Sequence, residues 1–214
     1  MDTPQDITFT EEINAVDYLE KTVNFIKAAE TDPLDWKWVI LAIHGALYGF
    51  MVCALKGTTP DNVSNRTKKG ERKLLTFLEA LEECQKLTPA SGCVKPLILS
   101  EAQKRSVRRI NLDFRNHFIH FLPTCWVIEL AGMPQIVLHA LEVIQLLGVE
   151  MGCIYAHQQP GDRQKISALV DEGKSLLLKY VSAPESAEEV DALMKRLRHV
   201  KAGAAFTRDE MNTR

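Results

Sequence analysis

Residues 36–55 read WKWVILAIHGALYGFMVCAL, and this stretch decides the fold. It predicts a helix from roughly Leu34 to Leu55 that is apolar almost all round, and such a helix is normally buried on several sides. Asp32 suits an N-cap and Pro33 a first-turn position. Gly45 and Gly49 lie four apart, a spacing that permits close approach by another backbone. His44 and Tyr48 share a face and read as a hydrogen-bonded polar spot in a core. The apolar run Trp38–Leu55 is interrupted by His44, Gly45 and Gly49, which leaves it short of the roughly 20 continuous apolar residues of a membrane span.

Upstream, residues 1–10 read as a loose, polar tail with no leading charged-then-apolar segment. Thr10 is placed to cap a first helix, whose Ile13, Val16, Leu19, Val23 and Ile26 recur at helical spacing. Downstream, 56–70 (KGTTPDNVSNRTKKG) reads as a long loop. Its basic end, Arg66, Lys68, Lys69, Arg72 and Lys73, reads as a solvated rim. A helix is expected over Lys73–Leu87, with Leu74, Leu78, Leu81 and Cys84 on one side. Pro89–Pro96 reads as loop, and Ser100 as the cap of the next helix. The passage TCWVIELAGMP (Thr124–Pro134) is irregular, and helical patterning resumes over Gln135–His157, Arg163–Val181 and Ala187–Val200. No alternating strand pattern stands out, so the fold class is all-α, a helical bundle.

Composition agrees with a globular chain: 214 residues, 46% hydrophobic, 25% charged, formal net charge −2. A surface coated in positive charge is thereby excluded, and nucleic-acid binding would need a local basic patch. Five cysteines, Cys53, Cys84, Cys93, Cys125 and Cys153, form an odd set without a Cys-x-x-Cys pair. They read as small apolar side chains in a reducing cytoplasm. No His-Glu-x-x-His, Glu-x-x-His pair or cysteine cluster suggests a metal, and no cofactor motif is present.

The segment with the most chemistry is Ser100–Leu122, SEAQKRSVRRINLDFRNHFIHFL. At about 100° per residue, Val107, Ile110, Phe114, Phe118 and Phe121 form the stripe that packs inward. Arg105, Arg109, Asp113, Asn116 and His120 fall opposite. The ordinary reading is a solvated face with an Arg109–Asp113 pair worth a few tenths of a kcal/mol, on the order of 0.3. Leu112 and Ile119 beside that row suggest that a second surface covers it. His120, in the last turn before Pro123, suits proton transfer. Arg115 and His120 are about 140° apart around a regular helix. They converge only if the last turn is distorted or if a two-fold dimer pools both copies.

Arg115-Asn116-(three residues)-His120, late in a helix of an all-α bundle, resembles the Arg-x4–6-His motif of HEPN domains. Trp36–Gly57 and Cys125–Pro134 further resemble a bacterial, plasmid- and genome-borne HEPN subfamily. The resemblance spans most of residues 10–180. It implies a HEPN-like domain over 11–182, preceded by the tail 1–10 and followed by a C-terminal helix and frayed tail over 183–214. It implies a metal-independent endoribonuclease, acting as a cytoplasmic homodimer in a toxin or anti-phage context, with an antitoxin as a further protein partner. In that family His120 would be general acid or base, Arg115 would hold the scissile phosphate and Asn116 would orient one of them. Arg105, Arg108 and Arg109, with Lys104, would add contacts to the RNA backbone.

Two other functions fit the same residues. One is a non-catalytic HEPN module that binds RNA, a nucleotide or a protein. The other is a bundle that holds a small ligand with His44, Tyr48 and Trp126. The role of His117 stays open.

Overall fold

The computed structural model describes residues 6–57, 60–66, 70–120, 126–153 and 162–181. The expected Ala187–Val200 helix and 183–214 tail, Phe121, Cys125, Lys68 and Lys69 lie outside these. Among the described residues the chain is all-α apart from one short hairpin. Its helices are α1 (Glu11–Ala28), α2 (Trp36–Lys56), α3 (Phe77–Lys86), α4 (Glu101–Arg109), α5 (Asn116–Ile119), α6 (Met133–Gln145) and α7 (Asp162–Leu178). Wider π turns follow α4 (Ile110–Arg115) and α6 (Leu146–Glu150).

α2 is the axis of the bundle. It packs against α1, α3, α6 and both π segments, while α7 closes over α1 and α6 and α4 lies on α6. By length and composition Pro33–Lys56 is apolar enough to cross a membrane, and the interruptions at His44, Gly45 and Gly49 do not change that. Yet 67% of its most apolar window is buried inside the bundle, as befits the core helix of a globular fold. Asp32 caps a single 3-10 turn, Pro33–Asp35, through its side chain and Leu34 N–H (2.9 Å), and α2 proper begins at Trp36.

The close approach expected at Gly45 and Gly49 is made by α1. A Cβ on Gly45 would sit 2.7 Å from the Tyr18 ring, and one on Gly49 would sit 2.8 Å from Ala15 Cβ and 3.0 Å from its Cα. This contact also sets which face of α1 turns inward. Ala15, Leu19, Thr22, Val23 and Ile26 are buried, whereas Ile13 stays 51% exposed. The expected stripe is therefore rotated by Ala15, whose small side chain lets the two backbones meet. Thr10 caps α1 as expected, accepting from Ile13 N–H at 3.2 Å.

The long loop after α2 contains more order than its composition suggests. A 3-10 turn, Pro60–Val63, leads into β1 (Ser64–Arg66), which pairs antiparallel with β2 (Arg72–Leu74) in the register Asn65↔Lys73. Leu74 is consequently an exposed strand residue, not the first apolar position of α3. α3 starts only at Phe77, where a capping box between Thr76 and Glu79 fixes the start. That exchange satisfies two otherwise orphaned N–H groups, which outweighs continued periodicity upstream.

A second capping box, Ser100 with Gln103, opens α4. The Gln103 amide does two jobs: its Oε1 accepts from Ser100 N–H (2.9 Å) and its Nε2 donates to Glu142 of α6 (2.8 Å). Val107, Ile110 and Phe114 are buried and Phe118 packs on the core, as the wheel requires. α6 begins at Met133 with Pro134 in its first turn, where a missing N–H costs nothing. The π segment that extends α6 ends at Glu150, and residues 154–157 of the expected helix lie outside the described residues. Gly152, in the left-handed region (φ +74°), then turns the chain away.

The cysteines depart from expectation. Cys93 and Cys153, 60 residues apart, form a disulfide with Cα atoms 4.5 Å apart. It ties the loop before α4 to the end of α6, alongside Val94 N–H donating to Met151 C=O (2.6 Å) and a Lys95–Glu150 ion pair (3.1 Å). Five independent apolar thiols are therefore not what the chain contains, and the cysteine-based argument for a reducing compartment fails. Cys53 and Cys84 are free and buried. Burial pushes the Cys53 thiol up to about 12 and raises that of Cys84 as well, so both are inert thiols.

Gly49→Val should destabilise the protein by about 1–3 kcal/mol, read as a lowered urea midpoint, because backbone as well as side-chain atoms of α1 would have to move. Reduction of the Cys93–Cys153 bond should cost about 2–4 kcal/mol. A denaturation midpoint indifferent to dithiothreitol would show that the two thiols are not bonded.

Candidate functional site

The π segment shapes the site. Its Ile110–Arg115 turn is wider than an α turn, and each residue advances the helix by less rotation. Asn111 and Arg115 would share a face in any helix. The widening also swings Asn116 toward that face, and Arg115 Nη1 donates to Asn116 Oδ1 at 3.1 Å. The Arg115 guanidinium is half-buried and makes no ion pair with a carboxylate among the described residues.

The face carrying Asn111 and Arg115 meets α2. His44 Nε2–H donates to Asn111 Oδ1 at 3.0 Å. An amide oxygen can only accept, so this bond holds His44 in the Nε2–H tautomer. The ring stacks on Phe77 of α3, with centroids 4.5 Å apart. One turn along, Tyr48 O–H donates to Leu75 C=O (2.6 Å), at the end of β2. The hydrogen-bonded polar spot expected for His44 and Tyr48 is thus present, although each uses a different partner. Burial lowers the proton affinity of His44 most; the Asn111 bond works against that and the nearby Arg115 charge adds to it.

His120 lies elsewhere. Its N–H still bonds Asn116 C=O (2.8 Å), but its own backbone has left the helix (φ −104°, ψ 63°). The π widening precedes Arg115, and the turn between Arg115 and His120 is regular. Among the described residues no hydrogen bond or ring contact joins the two side chains. His120 is exposed, as are Leu112 (46%) and Ile119 (49%). His117 is held by its own helix, with Nδ1–H donating to Asp113 C=O, and stacks on Trp126 at 4.8 Å. Trp126 also meets Phe118 edge-on at 4.9 Å, so it belongs to the helix end and not with His44 and Tyr48.

The three arginines expected to line an RNA path are not equivalent. Arg108 is exposed. Arg109 is largely covered, pairing with Asp113 (3.4 Å) and lying over the Phe114 ring at 5.1 Å. Arg105 is half-buried, with Nε enclosed and lacking a hydrogen-bond partner. Its charge reaches His139 on α6.

His139 belongs to a second polar cluster, which the helical patterning did not single out. Gln135 Nε2 donates to His139 Nε2 (2.8 Å), which leaves Nδ1–H to donate to the fully buried Ser106 Oγ (2.8 Å). The signal was there as Gln135, His139 and Glu142 at spacings of four and three on an otherwise apolar helix. Asn111, four residues before Arg115, was the comparable signal for the first cluster. Ser106 is too enclosed to meet a substrate, so this cluster joins α4 to α6.

No protein-family model, curated protein or solved structure matches this chain. Among the described residues no group of histidine, cysteine and carboxylate side chains is arranged to hold a metal ion.

His44 and His139 both bind protons less readily in the fold than an ordinary imidazole, chiefly through burial. The unfolded chain therefore binds more protons. Stability is complete above the unfolded value of about 6.5 and declines as pH falls below it, until the folded values are passed. The thermal midpoint should drop between about pH 7.5 and pH 5.5, across the histidine range. The double variant His44→Gln, His139→Gln should flatten that drop.

Proposed function

We propose that this protein is a metal-independent endoribonuclease of the HEPN type that acts as a homodimer, in a toxin or anti-phage setting. One observation carries the reading. Arg115 is half-buried, hydrogen-bonded to Asn116 and without a carboxylate partner among the described residues. It sits one helical turn from an exposed His120 where the helix ends. A guanidinium left uncompensated in this way is suited to grip a phosphate with its planar fork.

The chemistry follows from the substrate. An RNA 2′-hydroxyl attacks the adjacent phosphorus and the 5′-oxygen of the next nucleotide leaves, so the nucleophile is internal and a metal-activated water is not required. One imidazole takes the 2′-hydroxyl proton and an acid returns a proton to the leaving oxygen. Arg115 offsets the charge that builds on the non-bridging oxygens. Because no hydrogen bond or ring contact joins Arg115 and His120 within one chain, the active arrangement pairs Arg115 of one copy with His120 of another. The exposed Leu112 and Ile119 beside them supply the apolar contact between copies.

Purified protein should cut single-stranded RNA in EDTA. His120→Ala and Arg115→Ala should each lower the rate by about 10²-fold or more while leaving circular dichroism unchanged. Leu112→Glu with Ile119→Glu should turn a dimer into a monomer by analytical ultracentrifugation and abolish cutting with it. Saturable RNA binding without turnover would instead support a non-catalytic HEPN module. Full activity in a monomer would defeat the pooled site.

A further inference from the structure

Transfer of the scissile bond to an internal 2′-hydroxyl calls for a base at one oxygen and an acid at the other, and His120 is a single imidazole. His117 lies three residues before it, at the same helix end. The His120 N–H donates to Asn116 C=O at 2.8 Å, so the turn that carries both histidines is a closed α turn. Residues three apart on such a turn are surface neighbours, with Cβ atoms about 5–6 Å from one another. His120 is exposed and the His117 ring is only partly covered.

The orientation of His117 is set by its contacts. Nδ1–H donates to Asp113 C=O, and the ring lies on Trp126 with centroids 4.8 Å apart and planes 21° apart. Phe118 meets the same indole edge-on at 4.9 Å, which holds the stack in place. A carbonyl oxygen only accepts, so the proton of the neutral ring is on Nδ1 and Nε2 carries the lone pair. Nε2 has no hydrogen-bond partner among the described residues. A residue that only packed on Trp126 would need a flat ring and nothing more. An imidazole locked in one tautomer, with its lone pair unused, has what a general base requires.

We infer that His117 is the general base of the cleavage and His120, from the same chain, the general acid, the two imidazoles flanking a phosphate held by Arg115 of the other copy. This rests on the ribonuclease reading. His117 Nε2 takes the proton of the 2′-hydroxyl as that oxygen bonds to phosphorus. The bond from phosphorus to the 5′-oxygen breaks, and the His120 imidazolium gives its proton to that oxygen. The products are a 2′,3′-cyclic phosphate and a 5′-hydroxyl, and solvent returns both imidazoles to their starting states.

The surroundings suit a ring that starts neutral and ends charged. A carboxylate partner would keep His117 protonated and spoil it as a base. Among the described residues it has none, because the Asp113 carboxylate is paired with Arg109 at 3.4 Å. Trp126 and Phe118 are uncharged. Once formed, the imidazolium keeps its bond to Asp113 C=O and lies on the indole face, whose quadrupole attracts a cation.

The test uses the full chain and two single-stranded RNA substrates, one ordinary and one with sulfur in place of the scissile 5′-oxygen. A thiolate leaves without a proton, so the second substrate bypasses the acid and not the base. On ordinary RNA in EDTA, His117→Asn and His117→Phe should each slow cutting by about 10²–10⁴-fold. Asn keeps a donor for Asp113 C=O and Phe keeps a ring on Trp126, so a purely packing role would survive in one or the other. On the sulfur-substituted RNA, His120→Ala should return to within about tenfold of wild type, while the His117 variants stay slow. Mixed dimers of a His117→Asn copy with a His120→Ala copy should stay inactive on ordinary RNA, since each site takes both imidazoles from one chain.

Wild-type rates in both His117 variants overturn the inference and leave the ribonuclease reading standing. Rescue of the His117 variants, and not of His120→Ala, by the sulfur substrate does the same, as does activity in the mixed dimers. A wild-type protein that cuts neither substrate defeats the ribonuclease reading and this inference with it.

Discussion

A helix that is apolar on nearly every side has to be covered on most of them, and the rest of this fold answers that demand. α2 carries twelve buried residues from Trp36 to Leu55. Each fully buried large side chain contributes about 1.5–3 kcal/mol, and the neighbours are arranged to collect that gain. α1 comes closest because Gly45 and Gly49 have no Cβ to hold it off. α3, α6 and the two π segments pack against its other sides, leaving Trp38 partly exposed. The hairpin before α3 serves the same end, delivering Leu75 and Phe77 to the α2 surface and offering the Leu75 carbonyl to Tyr48.

Enclosing such a helix creates a difficulty where it carries polar groups. His44 cannot be left dry without a partner, because an unsatisfied buried donor costs about 1–3 kcal/mol. The π segment supplies Asn111 for this purpose. Arg115 follows Asn111 by one turn on the same face, and the widened turn brings Asn116 onto its guanidinium. A departure from α geometry, itself costly in hydrogen-bond quality, thus coincides with the place where cation, amides and imidazole gather. The α4–α6 contact meets the same constraint in another way, with Gln103, Ser106, Gln135, His139 and Glu142 satisfying one another between two helices.

How legible each part was depended on whether its determinants were local. The caps at Thr10, Asp32 and Ser100 involve residues within three positions and were readable as written. So was the inward stripe of Val107, Ile110 and Phe114, since a 3.6-residue period needs no knowledge of the partner. The start of α3 was misjudged because Leu74 fits the helical period, while the capping box at Thr76 competes with it. The hairpin was hidden because three-residue strands are too short to show alternation. The Cys93–Cys153 bond joins residues 60 positions apart, and no spacing rule reveals such a pair. At the site, Arg115, Asn116, His120, His44 and Tyr48 all stood out by residue type. That Asn111 would bond His44 was beyond any wheel, because a wheel carries no knowledge of the facing helix, and that Asn116 turns onto Arg115 was beyond it because a π turn changes the angle per residue that the wheel assumes.

The amino-acid sequence alone determined that this chain is a helical bundle built round residues 36–55, since composition and period are properties of the chain by itself. It also determined which residue types are available for chemistry. Only the tertiary structure decided which of them meet. Helix-to-helix packing brought His44 to Asn111 across 67 positions, a pairing that depends on how α2 and the π segment are rotated about their axes. Those rotations follow from the close contact of α1 with Gly45 and Gly49 and from the extra residue in the π turn. Both are settled by the sum of all the packing contacts and not by any one stretch.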